Sequence, residues 1–217
     1  MKTAVMIVED HPLFSRGLAQ LIDAQSGFRV VGEAQNFEQA LEILEKEKPE
    51  LTVLDLNLGD EDGLELIKTL KSKDPEHVIL VLSMHDERYY AERALRAGAK
   101  GYIMKEEAGD KVIDAIHTVM SGKIWLSEPE RERLLDLSAS GNSLTEGNDW
   151  FASIKKLSDR QLQIFTLIGK GLGTIEIATK LRLSPKTIDS HKEHIKLKLH
   201  CNSSQELRQL AIEWLNH

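Results

Sequence analysis

The sequence predicts a doubly wound α/β domain on a five-stranded parallel sheet, followed by a small all-α domain of four helices. Three observations carry this. Short apolar runs alternate with amphipathic stretches through the first 122 residues. A stretch rich in Ser, Gly and Asn, SASGNSLTEGND at 138–149, then interrupts the pattern. Beyond it lie only helix signals, and the charge changes sign: residues 1–151 carry a net −12 and residues 152–217 a net +5, within a total of −7. Taken whole, the charge argues against a nucleic-acid partner. Split, it suggests an acidic body and a basic tail with separate jobs.

The strands come first. Ala4–Val8, Phe28–Glu33, Leu51–Leu54, Val78–Leu82 and Tyr102–Met104 are apolar runs of strand length. Helical spacing fills the intervals at Pro12–Ala24, Phe37–Lys46, Gly63–Ser72, Arg88–Ala97 and Gly109–Ser121. The first of these places Leu13, Phe14, Leu18, Leu21 and Ile22 on a helical stripe, and the second turns Ala40, Leu41 and Leu44 inward. Strands alternating with helices call for a parallel sheet covered on both faces. Right-handed crossovers favour the flavodoxin-like strand order 2-1-3-4-5.

After Gly122 the signals are caps. Ser127 with Glu130 forms a capping-box pattern opening a short helix through Leu137. Ser158 with Gln161 opens a helix that the glycines at 169, 171 and 173 end. Thr174 is placed to cap Ile175–Leu181. Ser184 followed by Pro185 opens a helix to Leu199, and Ser203 with Glu206 opens the last, Leu207–Leu215. The helices Ile175–Leu181 and Pro185–Leu199 stand about three residues apart, the helix-turn-helix spacing.

Composition closes off other classes. No apolar run reaches the roughly 18 residues of a membrane span, and MKTAVMIVED turns acidic too early for a signal peptide. The single cysteine, Cys201, excludes an internal disulfide framework and suits a half-buried small residue. A cytoplasmic location is expected.

Chemistry enters through the residues at strand ends. Glu9 and Asp10 follow the first strand, Asp55 the third, Ser83 the fourth and Lys105 the fifth. In an open α/β sheet these carboxyl ends form one crevice, so the residues converge although they are distant in sequence. Any one of them alone reads as a turn residue or a solvated charge. Together, clustered carboxylates suit a hard cation such as Mg²⁺. A carboxylate facing that cation can attack a phosphoryl group, with a hydroxyl and an ammonium to hold its oxygens.

VED at 8–10, VLDLNLGDEDG at 53–63, VLSMHDE at 81–87 and AGAKGYIMKE at 97–106 together resemble the receiver (CheY-like) domain of response regulators, across residues 1–122. The resemblance implies Asp55 as phosphoacceptor. It implies Glu9, Asp10, Asp55 and the Asn57 backbone carbonyl as metal ligands, Ser83 and Tyr102 as the switch pair, and Lys105 as the phosphate's ion-pair partner. Two positions depart from the common pattern: Leu58-Gly59 stands where Met-Pro is frequent, and Glu106 follows the lysine instead of proline. Neither removes a chemical group from the site.

The string LSDRQLQIFTLIGKGLGTIEIATKLRLSPKTIDSHKEHIKLKL, from Leu157 to Leu199, is similar to the LuxR-type helix-turn-helix of the NarL/FixJ group. This implies Pro185–Leu199 as recognition helix. Ile188, His191, Ile195 and Leu199 share its inward face. Lys186, Ser190 and Glu193 point outward, flanked by Asp189 and His194, with Lys192, Lys196 and Lys198 at the sides where phosphates would run. Expected DNA contacts are Lys186, Thr187, Asp189, Ser190, Lys192, Glu193 and Lys196. Leu207, Leu210, Ala211 and Trp214 of the final helix are expected to form a dimer surface. Asp189 stands where many relatives are basic; with Glu193 it either accepts from cytosine N4 or repels phosphates, and sequence leaves both open.

The expected organisation is a receiver at 1–122, a linker with a short helix at 123–152 and a helix-turn-helix domain at 153–217. The expected protein takes a phosphoryl group from a sensor histidine kinase on Asp55, dimerises and binds double-stranded DNA, without turning over an external substrate. Rival readings lack their residues. An aspartyl-phosphate phosphatase would want a second carboxylate where Asn57 stands, and a flavin carrier would want a phosphate-binding loop where Glu9-Asp10-His11-Pro12 would repel one. A regulator of the same fold controlled by a ligand instead of phosphate would not need the complete set of site residues.

Overall fold

The computed structural model describes residues 2–59, 61–139, 153–154 and 156–215. The chain divides after Ala139 into two compact units.

In the N-terminal unit five parallel strands, β1 (Thr3–Val8), β2 (Phe28–Ala34), β3 (Leu51–Leu54), β4 (Val78–Ser83) and β5 (Gly101–Met104), lie in the order β2-β1-β3-β4-β5. This is the predicted order. Helices α1 (Pro12–Asp23), α2 (Phe37–Glu47), α3 (Gly63–Lys73) and α4 (Glu87–Ala97) are the crossovers, and α5 (Ala108–Met120) follows the last strand. Period-two alternation sends Val5, Ile7, Val53, Leu80, Leu82 and Ile103 to one face, where Leu18 and Ile22 of α1 and Val112, Ile116 and Val119 of α5 bury them. Helices α2, α3 and α4 cover the opposite face. The α1 stripe is narrower than expected: Leu18 and Ile22 are core, whereas Leu13 and Leu21 are exposed. Leu13 faces away from the core that its neighbour Phe14 packs against.

Two short segments, Asn57–Leu58 and Glu61–Asp62, pair antiparallel between β3 and α3. A Cβ at Gly63 would lie 2.5 Å from the Leu56 Cα, so only glycine lets the chain return this closely behind Asp55. At the opposite end of the sheet the His77 ring is buried against the Thr52 hydroxyl, Nε2 to Oγ1 2.6 Å. Burial holds that imidazole below its usual pKa.

A sixth helix, α6 (Glu128–Ala139), belongs to the same compact unit. It runs through Ser138 and Ala139, the first two residues of the Ser/Gly/Asn-rich stretch, the rest of which lies outside the described residues. Its predicted capping box is only half formed. The Glu130 N–H reaches the Ser127 Oγ at 3.4 Å, but the Ser127 N–H is held by Glu87, 2.9 Å away on α4. Glu130 turns instead to Arg133.

The C-terminal unit is four helices, α7 (Asp159–Gly169), α8 (Thr174–Leu181), α9 (Pro185–Leu199) and α10 (Ser204–Leu215). Ser158 and Gln161 form the predicted reciprocal cap of α7, and the Ser184 Oγ accepts from the Thr187 N–H at the start of α9. Gly169 does more than end α7: a Cβ there would stand 2.5 Å from the Ala211 carbonyl oxygen, so the glycine sets how closely α7 and α10 pack. The α8 cap differs from expectation. Gly173 is the N-cap, its N–H held by Glu176 at 2.7 Å, and the Thr174 hydroxyl faces α9 instead. The final helix also corrects an expectation. Leu207, Ala211 and Trp214 are buried within the unit, Trp214 stacking obliquely on Phe165 at 5.5 Å, so these three are this domain's own core and not a surface, while Leu210 is half-buried. An amphipathic helix of this length has one apolar stripe, and α7 takes it.

Candidate functional site

Strand register assembles the first site. Val8 pairs with Leu54, so Glu9 and Asp55 leave the sheet side by side, and the Asp55 N–H donates to the Val8 carbonyl at 2.9 Å. Ser83 pairs with Met104, which brings Lys105 to the same edge one residue later. Glu9, Asp55 and Ser83 are all buried. The Lys105 ammonium lies 2.7 Å from Asp55 Oδ2 and 2.5 Å from Glu9 Oε2, and 4.6 Å from the centre of the Phe14 ring.

One ammonium between two buried carboxylates does not neutralise them. Burial is the largest influence on Asp55. The Lys105 charge opposes it and Glu9 reinforces it, and the carboxyl is pushed up to about 6. At Lys105 burial works against the charge, but Asp55 and then Glu9 outweigh it and hold the ammonium above its usual value. Asp10 adds a third carboxylate. The ligand-type atoms of Glu9, Asp10, His11 and Asp55 all lie within 4.8 Å of one another. That is an oxygen-rich, net-negative cluster, and its donor chemistry fits a hard divalent cation.

Sequence reasoning does not single out His11. It is the N-cap of α1, with Pro12 at the first helical position, and its Nδ1 lies 2.6 Å from Asp10 Oδ1 and 3.0 Å from Glu9 Oε1. Its adjacency to Glu9-Asp10 is the signal that could have found it. Phe14, under Lys105, is the other missed neighbour; one turn of helix after the acidic pair carries it there. Asn57 meets the cluster through its N–H, which donates to Asp55 Oδ1 at 3.0 Å.

The two residues expected to form a switch, Ser83 and Tyr102, also lie together. Tyr102 is buried and its hydroxyl donates to the His85 carbonyl at 2.9 Å. The Ser83 Oγ accepts from the His85 N–H at 3.3 Å. Burial holds the Tyr102 phenol well above its usual pKa. Ser83, Tyr102 and the loop that leads into α4 are thus one hydrogen-bonded group.

The second site is the face of α9. Three residues, Arg182–Ser184, turn the chain from α8 into it. Ile188, Ile195 and Leu199 are buried, while Lys186, Asp189, Ser190, Glu193 and His194 are exposed. Thr187, His191, Lys192 and Lys196 lie half-buried at the sides. These groups close on one another. The Lys192 ammonium donates to the Thr174 hydroxyl at 2.6 Å, which donates to Asp189 at 3.2 Å, and Lys196 pairs with Glu193 at 2.8 Å. Lys198 serves the fold instead. It donates to the Lys156 carbonyl at 3.0 Å and to Gln161 Oε1 at 2.7 Å, joining the end of α9 to the start of α7.

Comparison with known proteins follows this division. Residues 5–117 match the response regulator receiver domain, and residues 155–211 match the family described as bacterial regulatory proteins, luxR family. The oxygen regulatory protein NreC of Staphylococcus carnosus is 32% identical over 212 residues, and that of Staphylococcus aureus 34%, each alignment covering 96% of both chains. Among solved structures, RcsB from Salmonella enterica serovar Typhimurium bound to promoter rprA in the presence of the phosphomimetic BeF3− is 27% identical. It covers 96% of this chain and 98% of its own, with a TM-score of 0.60. A LuxR-family two-component response regulator from Aurantimonas covers 64% of this chain and 99% of its own, with a TM-score of 0.59 and 27% identity. Among the described residues no helix is long and apolar enough to cross a membrane. The chain belongs to the NarL/FixJ type of two-component response regulators, a receiver domain followed by a LuxR-type helix-turn-helix domain.

Proposed function

We propose that Asp55 accepts a phosphoryl group from a sensor histidine kinase and that the phosphorylated protein binds double-stranded DNA as a dimer. The observation that carries the first half is the buried Lys105 ammonium held between Asp55 and Glu9 beside Ser83. An Asp55 carboxylate oxygen attacks the phosphorus of a phosphohistidine. The P–N bond breaks, its electron pair returns to the imidazole, which takes up a proton, and an aspartyl phosphate forms. Glu9, Asp10, Asp55 and the Asn57 carbonyl would hold Mg²⁺, which supplies the charge neutralisation that lets a carboxylate meet a phosphoryl anion. Lys105 transfers its hydrogen bond from Asp55 to a phosphoryl oxygen, and the Ser83 hydroxyl donates to another. Tyr102 follows Ser83, to which it is linked through the His85 backbone. Asn57 offers no second carboxylate for acid–base turnover, so the product is a modified protein and not a released one.

In the second half, Lys186, Thr187, Asp189, Ser190, Lys192, Glu193 and Lys196 meet DNA, the lysines chiefly at phosphates. Two subunits would grip half-sites about one helical turn apart. The structure of RcsB on promoter DNA with a phosphomimetic supports this reading by similarity.

The test is intact mass after incubation with Mg²⁺ and acetyl phosphate, on wild type beside Asp55→Asn. One hydroxylamine-labile phosphoryl adduct is expected in the wild type and none in the variant. An adduct on both would move the acceptor elsewhere. Gel shifts with equal operator affinity for the two phosphorylation states would sink the coupling to DNA.

A further inference from the structure

The segment that leads out of the receiver runs across the receiver's own switch. After α5, residues 123–126 lie along β5, the edge strand that carries Tyr102. The Trp125 N–H donates to the Lys100 carbonyl at 3.0 Å and the Tyr102 N–H donates to the Trp125 carbonyl at 3.0 Å. Leu126 is buried. The chain then meets α4, where the Glu87 carboxylate accepts the Ser127 N–H at 2.9 Å. Ser127 caps α6, and its N–H belongs to the donors a helix start leaves unsatisfied. The partner expected for it, Glu130, is instead buried and paired with Arg133.

Charge complementarity continues along the seam. Arg88 of α4 feels Glu130 of α6, and Arg133 of α6 feels Glu92 of α4, although each arginine's main partner is on its own side of the seam. On the other side, Glu87 is the first residue of α4, two residues after His85. The His85 carbonyl holds the Tyr102 hydroxyl, its N–H donates to Ser83, and its ring stacks on Tyr90 of α4 at 4.6 Å. A run of eight residues, 83–90, therefore joins the phosphoryl-binding hydroxyl to the cap of the helix that leads toward the DNA-binding domain.

We infer that Glu87 is a positioning residue that latches α6 to α4, so that rearrangement of Ser83 and Tyr102 is transmitted to α6 through the Glu87–Ser127 bond. The inference rests on Asp55 being the phosphoacceptor. Glu87 need not touch phosphate. It acts because the carboxylate at the start of α4 moves with the 83–86 loop, while the N–H it holds belongs to the output segment. A two-state element that both ends bias is what coupling requires.

Hydrogen exchange of the full chain, with and without Mg²⁺ and acetyl phosphate, tests this on peptides spanning 127–136, with intact mass read on the same samples. Phosphorylation should change α6 exchange in the wild type by about tenfold, the worth of one charge-assisted hydrogen bond. Glu87→Ala removes the acceptor and Glu87→Asp withdraws it by one methylene while keeping the charge at the α4 N-terminus. Both should give fast α6 exchange that no longer responds to phosphorylation, at unchanged adduct stoichiometry. Glu87→Gln keeps an acceptor of full length and should restore the wild-type response. If Glu87→Asp behaves as wild type, Glu87 serves only the α4 dipole and the latch is wrong. An α6 that ignores phosphorylation in wild type carrying the adduct also overturns the latch, but leaves the phosphoacceptor assignment standing. No adduct in the wild type overturns that assignment and the coupling with it.

Discussion

Lys105 and Lys192 each sit on a functional face, and each is held by side chains from another element. Lys105 is almost wholly buried between two buried carboxylates, which raise its pKa against the effect of burial. Lys192 is half-buried, bonded to a threonine hydroxyl, and burial lowers its pKa, with Asp189 only partly compensating. The receiver keeps its charges in a fixed, dry constellation that must be stable before any phosphoryl group arrives. The α9 face keeps Lys192 and Lys196 half-buried in bonds to neighbouring side chains, for which any ligand of that face must compete. The first arrangement makes any change of its residues felt in the free protein, in either direction. The second makes them cheap to change until DNA is added.

The largest effect should follow loss of the Lys105 charge. Lys105→Met leaves Asp55 and Glu9 buried together without a cation, which typically costs about 3–5 kcal/mol. Urea unfolding in the presence of a chelator measures it, and saturating Mg²⁺ should recover part of the loss. A cost below about 1 kcal/mol, the range of solvated pairs, would mean the cluster is wetter than its burial implies and would erase the contrast with α9.

Next is Asp55→Asn, with the opposite sign. A carboxyl whose folded pKa is raised to about 6 takes up a proton on folding between its ordinary value and that point. Its stabilising contribution is complete below about pH 4, near the unfolded carboxylate value, and is lost as pH rises through 6. At neutral pH the ionised Asp55 therefore destabilises the metal-free fold by about 2–3 kcal/mol. Asp55→Asn should unfold at higher temperature than wild type at pH 7.5 in chelator. The gain should vanish at pH 4, and shrink when Mg²⁺ supplies the missing positive charge. A variant less stable than wild type at pH 7.5 would show that Lys105 already compensates Asp55 fully.

What can be read in the sequence follows the same division. Parallel strands fix where their carboxyl ends lie, so Glu9, Asp55, Ser83 and Lys105 can be placed together from strand positions alone, and the resemblance adds their roles. His11 and Phe14 escape that reading because their part depends on how α1 leaves the site, which period and composition do not encode. The Ser127 cap is half legible for a similar reason: its pattern is local, but the acceptor that holds its N–H comes from Glu87, forty residues earlier. Thr174 looks like the cap of its own helix because the pattern gives no hint that Glu176 holds the Gly173 N–H. Leu207, Ala211 and Trp214 suggest a dimer surface because an apolar stripe looks the same whether its partner is another chain or α7.

A mid-sized effect separates the structural lysine of α9 from those proposed to meet DNA. Lys198→Met removes a donor from the Lys156 carbonyl and leaves Gln161 Oε1 with the Ser158 N–H alone, and should cost the C-terminal domain about 1–2 kcal/mol. Thermal unfolding of that domain reads it. A neutral result would place Lys198 with Lys196 as a surface cation.

The smallest expected effect on the free protein belongs to Asp189→Asn, and it is the most informative about DNA. Asp189 is exposed, and its bond to the Thr174 hydroxyl, at 3.2 Å, can be kept by an asparagine oxygen. Stability should stay within about 0.5 kcal/mol of wild type. DNA binding should change, because the carboxylate lies beside the Lys192–Thr174 pair and shields that lysine from phosphates. If Asp189 acts by repulsion, its neutralisation tightens binding to any sequence and steepens the dependence of log K on log salt by about one counterion. If it accepts a base amino group, the variant loses about 1–3 kcal/mol on the operator alone while non-specific affinity holds. Titrations on operator and scrambled duplex at several salt concentrations distinguish the two, because only repulsion acts equally on both duplexes.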